Sequence, residues 1–140
     1  MRKSVIIVVA LVLSTIAFAQ KVKATKVPEI VSKSLMSKYP NAKKVKWDKE
    51  DNNYEASFES NKIENSVLFN ANGKIIETEV EITAAQLPKS ILNYLGKNYK
   101  DQKVKEAAKI ISDKGIVTYE AEIKGKDLLF DENGKLLSVS

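Results

Sequence analysis

The chain has 140 residues, a net charge of +5, no cysteine and no histidine. Without cysteine there is no disulfide, no thiolate metal site and no lipidated cysteine behind a leader, and the commonest thiol nucleophile and general base are both missing. The positive excess is mild and falls short of the strongly basic face of a nucleic-acid binder.

Arg2 and Lys3 precede an apolar run from Val5 to about Ile16 that ends in Ala17-Phe18-Ala19, the small-x-small pattern of a signal-peptidase site. The run is shorter than the ~20 residues that cross a bilayer. Residues 1–19 are therefore expected to be a leader cleaved after Ala19, and the mature chain to be periplasmic or secreted with no stable membrane span. Losing Arg2 and Lys3 lowers the net charge to +3, and export leaves nucleic acid out as a partner. The remaining 121 residues suffice for one ordinary core. Residues 20–26 read as a flexible N-terminus.

From residue 27 the chain repeats itself once, a pattern to be sought before any other. Val27, Val31, Leu35 and Tyr39 recur as Leu87, Ile91, Leu95 and Tyr99, shifted by 60 positions and stepping by four, which is helical spacing. Pro28 and Pro88 fit a helix start, where a missing N–H costs nothing. Thr83-Ala84-Ala85-Gln86 has the pattern of a capping box and predicts a short turn before the second helix.

After each helix the period drops to two. Val45 and Trp47 alternate with Lys46 and Asp48; Tyr54, Ala56 and Phe58 alternate with Glu55, Ser57 and Glu59; Val117, Tyr119, Ala121 and Ile123 alternate with Thr118, Glu120 and Glu122. Such alternation marks half-buried strands. The Tyr-Glu-Ala segments are offset by 65 rather than 60, so the second repeat is expected to carry a longer first strand or turn around Val104 to Gly115. Each unit closes on a hairpin, Phe69 to Lys74 and Phe130 to Lys135, whose Asn-Gly supplies a positive φ. Ile75–Ile82 and Leu136–Val139 are the last strands.

The fold class is thus α+β: a helix plus four antiparallel strands, twice, over 27–82 and 83–140. Two helices cannot cover both sides of an eight-stranded sheet, so one face carries helices and apolar side chains and the other stays open and polar.

The Val-Pro and Leu-Pro helix starts, the Tyr39-Pro40-Asn41-Ala42 exit before Val45-Lys46-Trp47, the Tyr-Glu-Ala strands and the Phe-x-x-x-Gly-Lys hairpins resemble the PepSY-like family of exported bacterial proteins, similar in fold to the β-lactamase inhibitor protein. The resemblance covers residues 27 to 139. It implies a curved sheet with helices behind and a concave surface in front, and a function in gripping or restraining an enzyme such as a peptidase. Fold alone does not transfer function, and the disulfides of the inhibitor protein have no counterpart here.

Glu77, Glu79 and Glu81 share one face of a strand, about 7 Å apart. Together with Lys46, Glu55, Glu59, Glu120 and Glu122 they form the candidate contact surface of the open face. Its expected occupant is another envelope or extracellular protein. The alternative is a small ligand or a divalent cation held by the acidic strands, although a flat row of carboxylates diverges where calcium wants six to eight converging oxygens. No metal or other cofactor is expected, and the Asn70 to Gly73 and Asp131 to Gly134 segments read as ordinary turns. Trp47, Tyr39 and Tyr99 are expected inside the core. Lys33, Lys38, Lys43 and Lys44, with Lys21, Lys23 and Lys26, solvate the helical side and sheet edge, an adhesive role being the rival. No Gly-x-Ser-x-Gly, Ser-x-x-Lys set or glycine-rich phosphate loop is present, so the chain reads as non-catalytic.

Overall fold

The computed structural model describes residues 19–140, and the expected leader lies outside them apart from Ala19. In chain order the elements are β1 (Gln20–Val22), α1 (Glu29–Lys38), β2 (Lys43–Glu50), β3 (Asn53–Ser60), β4 (Ile63–Asn70), β5 (Ile75–Ile82), α2 (Lys89–Asn98), β6 (Glu106–Ser112), β7 (Val117–Ile123), β8 (Lys126–Asp131) and β9 (Leu136–Val139). A 3-10 turn precedes each helix, at Ala24–Lys26 and Ala84–Gln86. All the strands form one antiparallel sheet whose spatial order follows chain order. Among the described residues it has nine strands, where the sequence predicts eight.

The extra strand is β1, in the segment expected to be a flexible N-terminus. Its register sets Val22 opposite Trp47, and Val22 packs against the first core cluster. That contact ties the segment down. The second 3-10 turn and both helices follow as predicted, whereas the first 3-10 turn lies in the segment expected to be flexible: the N–H of Thr83 donates to Gln86 Oε1 at 2.8 Å in a capping box, and the Pro28 and Pro88 carbonyls accept the first helical bonds.

β5 serves both repeats. Its last residues, 80–82, stand to α2 as Gln20–Val22 stand to α1, while its first residues stand to β4 as β9 stands to β8. One β-bulge sits at the same place in each repeat: Leu68 opposes Glu77 but Phe69 opposes Ile75, and Leu129 opposes Ser138 but Phe130 opposes Leu136. The unpaired residue, Ile76 or Leu137, reverses the side-chain alternation. That lets Ile75 join the core under α1 while Glu77, two positions on, points to the opposite side.

Each helix covers its own half of the sheet. Val27, Val31 and Leu35 pack on Trp47, Ala56, Phe58, Val67 and Phe69; Leu87, Ile91 and Leu95 pack on Ala107, Ala121, Ile123, Leu128 and Phe130. Trp47 lies in the core as expected, 6.2 Å from Phe69 between ring centroids, and Tyr39 sits 4.8 Å from Phe58. The hairpin loops tuck beneath the helices. Gly73 (φ +81°) lies so close that an added Cβ would stand 2.7 Å from Ser34 Oγ and 2.9 Å from the Ile30 carbonyl; Gly134 (φ +86°) meets Ser90 in the same way. Asn70 Oδ1 and Asp131 Oδ1 accept two backbone N–H groups each, at 2.9 to 3.0 Å, so these turn oxygens hold the loop itself. Of the longer first strand or turn expected around Val104 to Gly115, it is the turn that lengthens, β6 having 7 residues against 8 in β2; its tip meets the start of β5 through the Asp113 N–H to the Ile76 carbonyl at 2.7 Å and a Lys74–Asp113 ion pair at 3.6 Å.

Candidate functional site

Side chains of directly paired residues in an antiparallel sheet lie on the same face. Following the register from strand to strand therefore maps the side away from the helices. Asp48 pairs with Glu55, Glu55 with Leu68, and Leu68 with Glu77; Lys46 pairs with Ser57, Ser57 with Ser66, Ser66 with Glu79, and Glu79 with Ile110. Further along, Glu81 pairs with Ala108, Ala108 with Glu120 and Glu120 with Leu129, while Glu122 pairs with Asp127 and, across the other edge, with Glu106. Glu59 pairs with Lys43 and Glu64. All eight residues singled out from the sequence, Lys46, Glu55, Glu59, Glu77, Glu79, Glu81, Glu120 and Glu122, thus share the open face. Asp48, Glu50, Glu64, Glu106 and Asp127 join them there.

Depth is where the structure departs from the open, polar face expected. Glu55 is 3 % exposed and Glu79 is 8 % exposed, although among the described residues no element crosses this face. Leu68, Ala108, Ile110 and Leu129, which share the face, are buried too. A sheet side that buries such groups without a covering layer is a trough: twist and coiling of the strands bring neighbouring side chains over one another. The sequence carried a signal of this. Val67-Leu68-Phe69, Ile110-Ile111 and Leu128-Leu129 are consecutive apolar residues, the pattern of strands buried on both faces rather than one.

The trough has two electrostatic zones. At its margins acids meet lysines: Lys44 Nζ lies 3.5 Å from Glu59 and Lys105 Nζ 3.2 Å from Glu122. In the centre, among the described residues, no cation compensates. Burial first, and the acids Glu120, Glu55, Glu77 and Asp127 after it, push the Glu79 carboxyl up to about 8. Burial likewise lifts Glu55 to about 8, helped by Glu50 and Asp48 and opposed by the Ser66 hydroxyl, which donates to Glu55 Oε1 at 2.7 Å. Glu77 and Glu120 rise to about 7, and Asp127 also rises, each chiefly through burial with neighbouring acids adding to it. At neutral pH these groups are partly protonated, so the trough carries less negative charge than its composition implies.

The arrangement offers carboxyl groups and the Ser66 hydroxyl, which lies within hydrogen-bond reach of Glu55, and among the described residues no three acidic side chains converge as metal ligands. Of the lysines expected on the helical side and sheet edge, Lys33 pairs with Glu29 at 2.7 Å on α1, whereas Lys44 turns to Glu59 at the margin of the trough. No described helix is long and apolar enough to cross a membrane.

A duplicated α+β domain with both helices on one side and an acidic trough on the other defines a class of two-repeat sheet proteins. The chain belongs to the family described as "Putative beta-lactamase-inhibitor-like, PepSY-like", whose model matches residues 15–77 and 52–138. Among solved structures it is similar to a periplasmic protein, so described with the qualifier "putative", from Bacteroides eggerthii (18 % identity, TM-score 0.74, covering 81 % of this chain and 88 % of that one). It is also similar to a BLIP-like protein from Bacteroides fragilis (24 %, TM-score 0.62, 80 % and 84 %) and a DUF2874 family protein from Bacteroides uniformis (20 %, TM-score 0.71, 81 % and 88 %). At these identities the likeness is one of fold. No curated protein matches the chain.

Proposed function

We propose that this protein is an exported, non-catalytic binding module, periplasmic or secreted after cleavage behind Ala19, that docks another envelope or extracellular protein in the trough of its sheet. The observation that carries the reading is the set of central carboxyl groups, Glu55, Glu77, Glu79 and Glu120, held, among the described residues, without a compensating cation on a side no other element covers. Buried, uncompensated acids raise the free energy of the free domain. A partner that supplies donors or positive charge there gains what the isolated domain lacks. The coordination reading is weaker, because its carboxylates diverge along strands.

The test is crosslinking of the exported protein in its native envelope, comparing it with the triple variant Glu77→Lys, Glu79→Lys and Glu81→Lys. Loss of the crosslinked partner in the variant supports the reading; equal recovery rejects the trough as the contact. Inhibition is a separate measurement, made by adding the domain to the captured protein where that protein is a peptidase or other enzyme. Heat evolved with calcium at micromolar concentration, in the absence of any protein partner, would favour the cation reading instead.

A further inference from the structure

Glu79 occupies the middle strand of the nine, at the centre of the trough, and is more than nine-tenths buried. Among the described residues no hydrogen-bond donor and no cation reaches its carboxylate, and its electrostatic neighbours are all acids. Glu55, barely exposed as well, has the Ser66 hydroxyl; the marginal acids Glu59 and Glu122 have lysines. Among the described residues no fully buried side-chain oxygen lacks a hydrogen-bond partner, so the unpartnered carboxyl oxygens of Glu79 open onto the trough, where a donor arriving from outside can reach them. Leu68, Ile110 and Leu129 share the face beside it and are themselves buried, which provides apolar walls for the methylene stem of a long side chain.

We propose, resting on the reading of the trough as a docking surface, that its occupant is a partner protein projecting a single arginine or lysine from a protruding loop, seated on Glu79 between Glu55, Glu77 and Glu120. A guanidinium or ammonium supplies the missing donors, its stem lies along Leu68 and Ile110, and the acids around it replace the water it leaves. A basic group is favoured over a metal ion because the carboxyl groups stand on separate strands without converging, a geometry that a five-donor planar fork can satisfy and a small ion cannot.

Binding is proton-linked. The groups that face Glu79 are Glu55 on β3, Glu77 on its own strand, Glu120 on β7 and Asp127 on β8, with the neutral Ser66 and Ile110 directly opposite it on β4 and β6. A cation needs these carboxyls ionised, so its seating expels the protons they hold near neutral pH, and affinity rises as pH rises through the 7 to 8 range.

The test uses the exported protein and two pentapeptide probes, acetyl-Gly-Leu-Arg-Leu-Gly-amide and its citrulline counterpart, equal in shape and uncharged. Side-chain carboxyl carbon resonances report the site. The arginine peptide is expected to shift Glu79 and its neighbours, to bind about tenfold more tightly at pH 8.5 than at pH 6, and to lose at least about tenfold in affinity with Glu79→Gln, a variant whose fold is checked by thermal unfolding. Equal shifts from the citrulline peptide, or shifts confined to Glu59 and Glu122 at the margin, overturn the proposal. So does a Glu79→Gln variant that keeps its crosslinked envelope partner while the triple lysine variant loses it, an outcome that leaves the docking surface standing. Loss of neither partner overturns both.

Discussion

At the scale of single residues, the two hairpin glycines are held by two independent constraints. Gly73 and Gly134 have positive φ, and both lie against a helix with no space for a Cβ. Gly125 has a similar φ of +74° but open space around it. Gly125→Ala should therefore cost only the left-handed backbone penalty, about 1 kcal/mol. Gly73→Ala adds an overlap with the Ile30 carbonyl, which is backbone and cannot rotate away, and should cost about 2–4 kcal/mol. Urea unfolding of the two variants checks the difference; equal losses would show that the loop shifts freely beneath α1. This pairing of loop and helix explains why Phe-x-x-x-Gly-Lys recurs in the chain. The sequence showed the recurrence and one of its reasons, the φ angle. The second reason is a tertiary approach that no local pattern encodes.

At the scale of elements, the repeats keep the Asn-Gly turn and the bulge beside it while exchanging bulk between layers. The strand position of Trp47 in the first repeat is Ala107 in the second, since each faces the alanine of its Tyr-Glu-Ala strand, Ala56 or Ala121. The helix position of Ser34 becomes Tyr94, whose ring stands 5.3 Å from Phe130 as Trp47 stands 6.2 Å from Phe69. Each repeat thus puts one large aromatic on its central phenylalanine, from the sheet in one case and from the helix in the other, and volume is conserved. Tyr94→Ser should open a cavity under α2 and cost about 2–4 kcal/mol. Adding Ala107→Trp to it should recover part of that loss, whereas Ala107→Trp alone should destabilise by overpacking, roughly 1–3 kcal/mol. Thermal unfolding of the two single variants and the double variant reads the coupling, and strict additivity would refute the exchange. Helix periodicity and strand alternation made the elements themselves legible. Three residues of β1 were too few to show a period, and β5 hid its double duty because its two halves match different partners, β9 and β1.

For the whole molecule, alternation gave the face of each glutamate but not its depth. All eight site residues expected on the open side are there, because a period of two is a local property of any strand. Whether that side is flat or troughed depends on how nine strands coil together, and only the apolar doublets at Leu68, Ile110 and Leu129 hinted at it. Depth has a measurable consequence for stability. Glu55 and Glu79 rise from an ordinary carboxyl value to about 8, and Glu77 and Glu120 to about 7, so between those limits the folded chain holds more protons than the unfolded chain. Stability from these groups is then fully present below about pH 4.5 and drains away as pH climbs through 7 to 8. The four groups repel one another and titrate together, so the loss belongs to the set rather than to any one of them. The melting temperature of the free domain is expected to fall between pH 5.5 and 8.5. Glu79→Gln, which keeps the shape and removes the charge, should flatten that fall and raise the melting temperature at pH 8.5 while changing it little at pH 5.5. A wild-type melting temperature that rises with pH over this range would mean that water or a cation reaches the trough well enough to keep its carboxylates ionised, and the electrostatic strain on which the proposed partner binding rests would be absent.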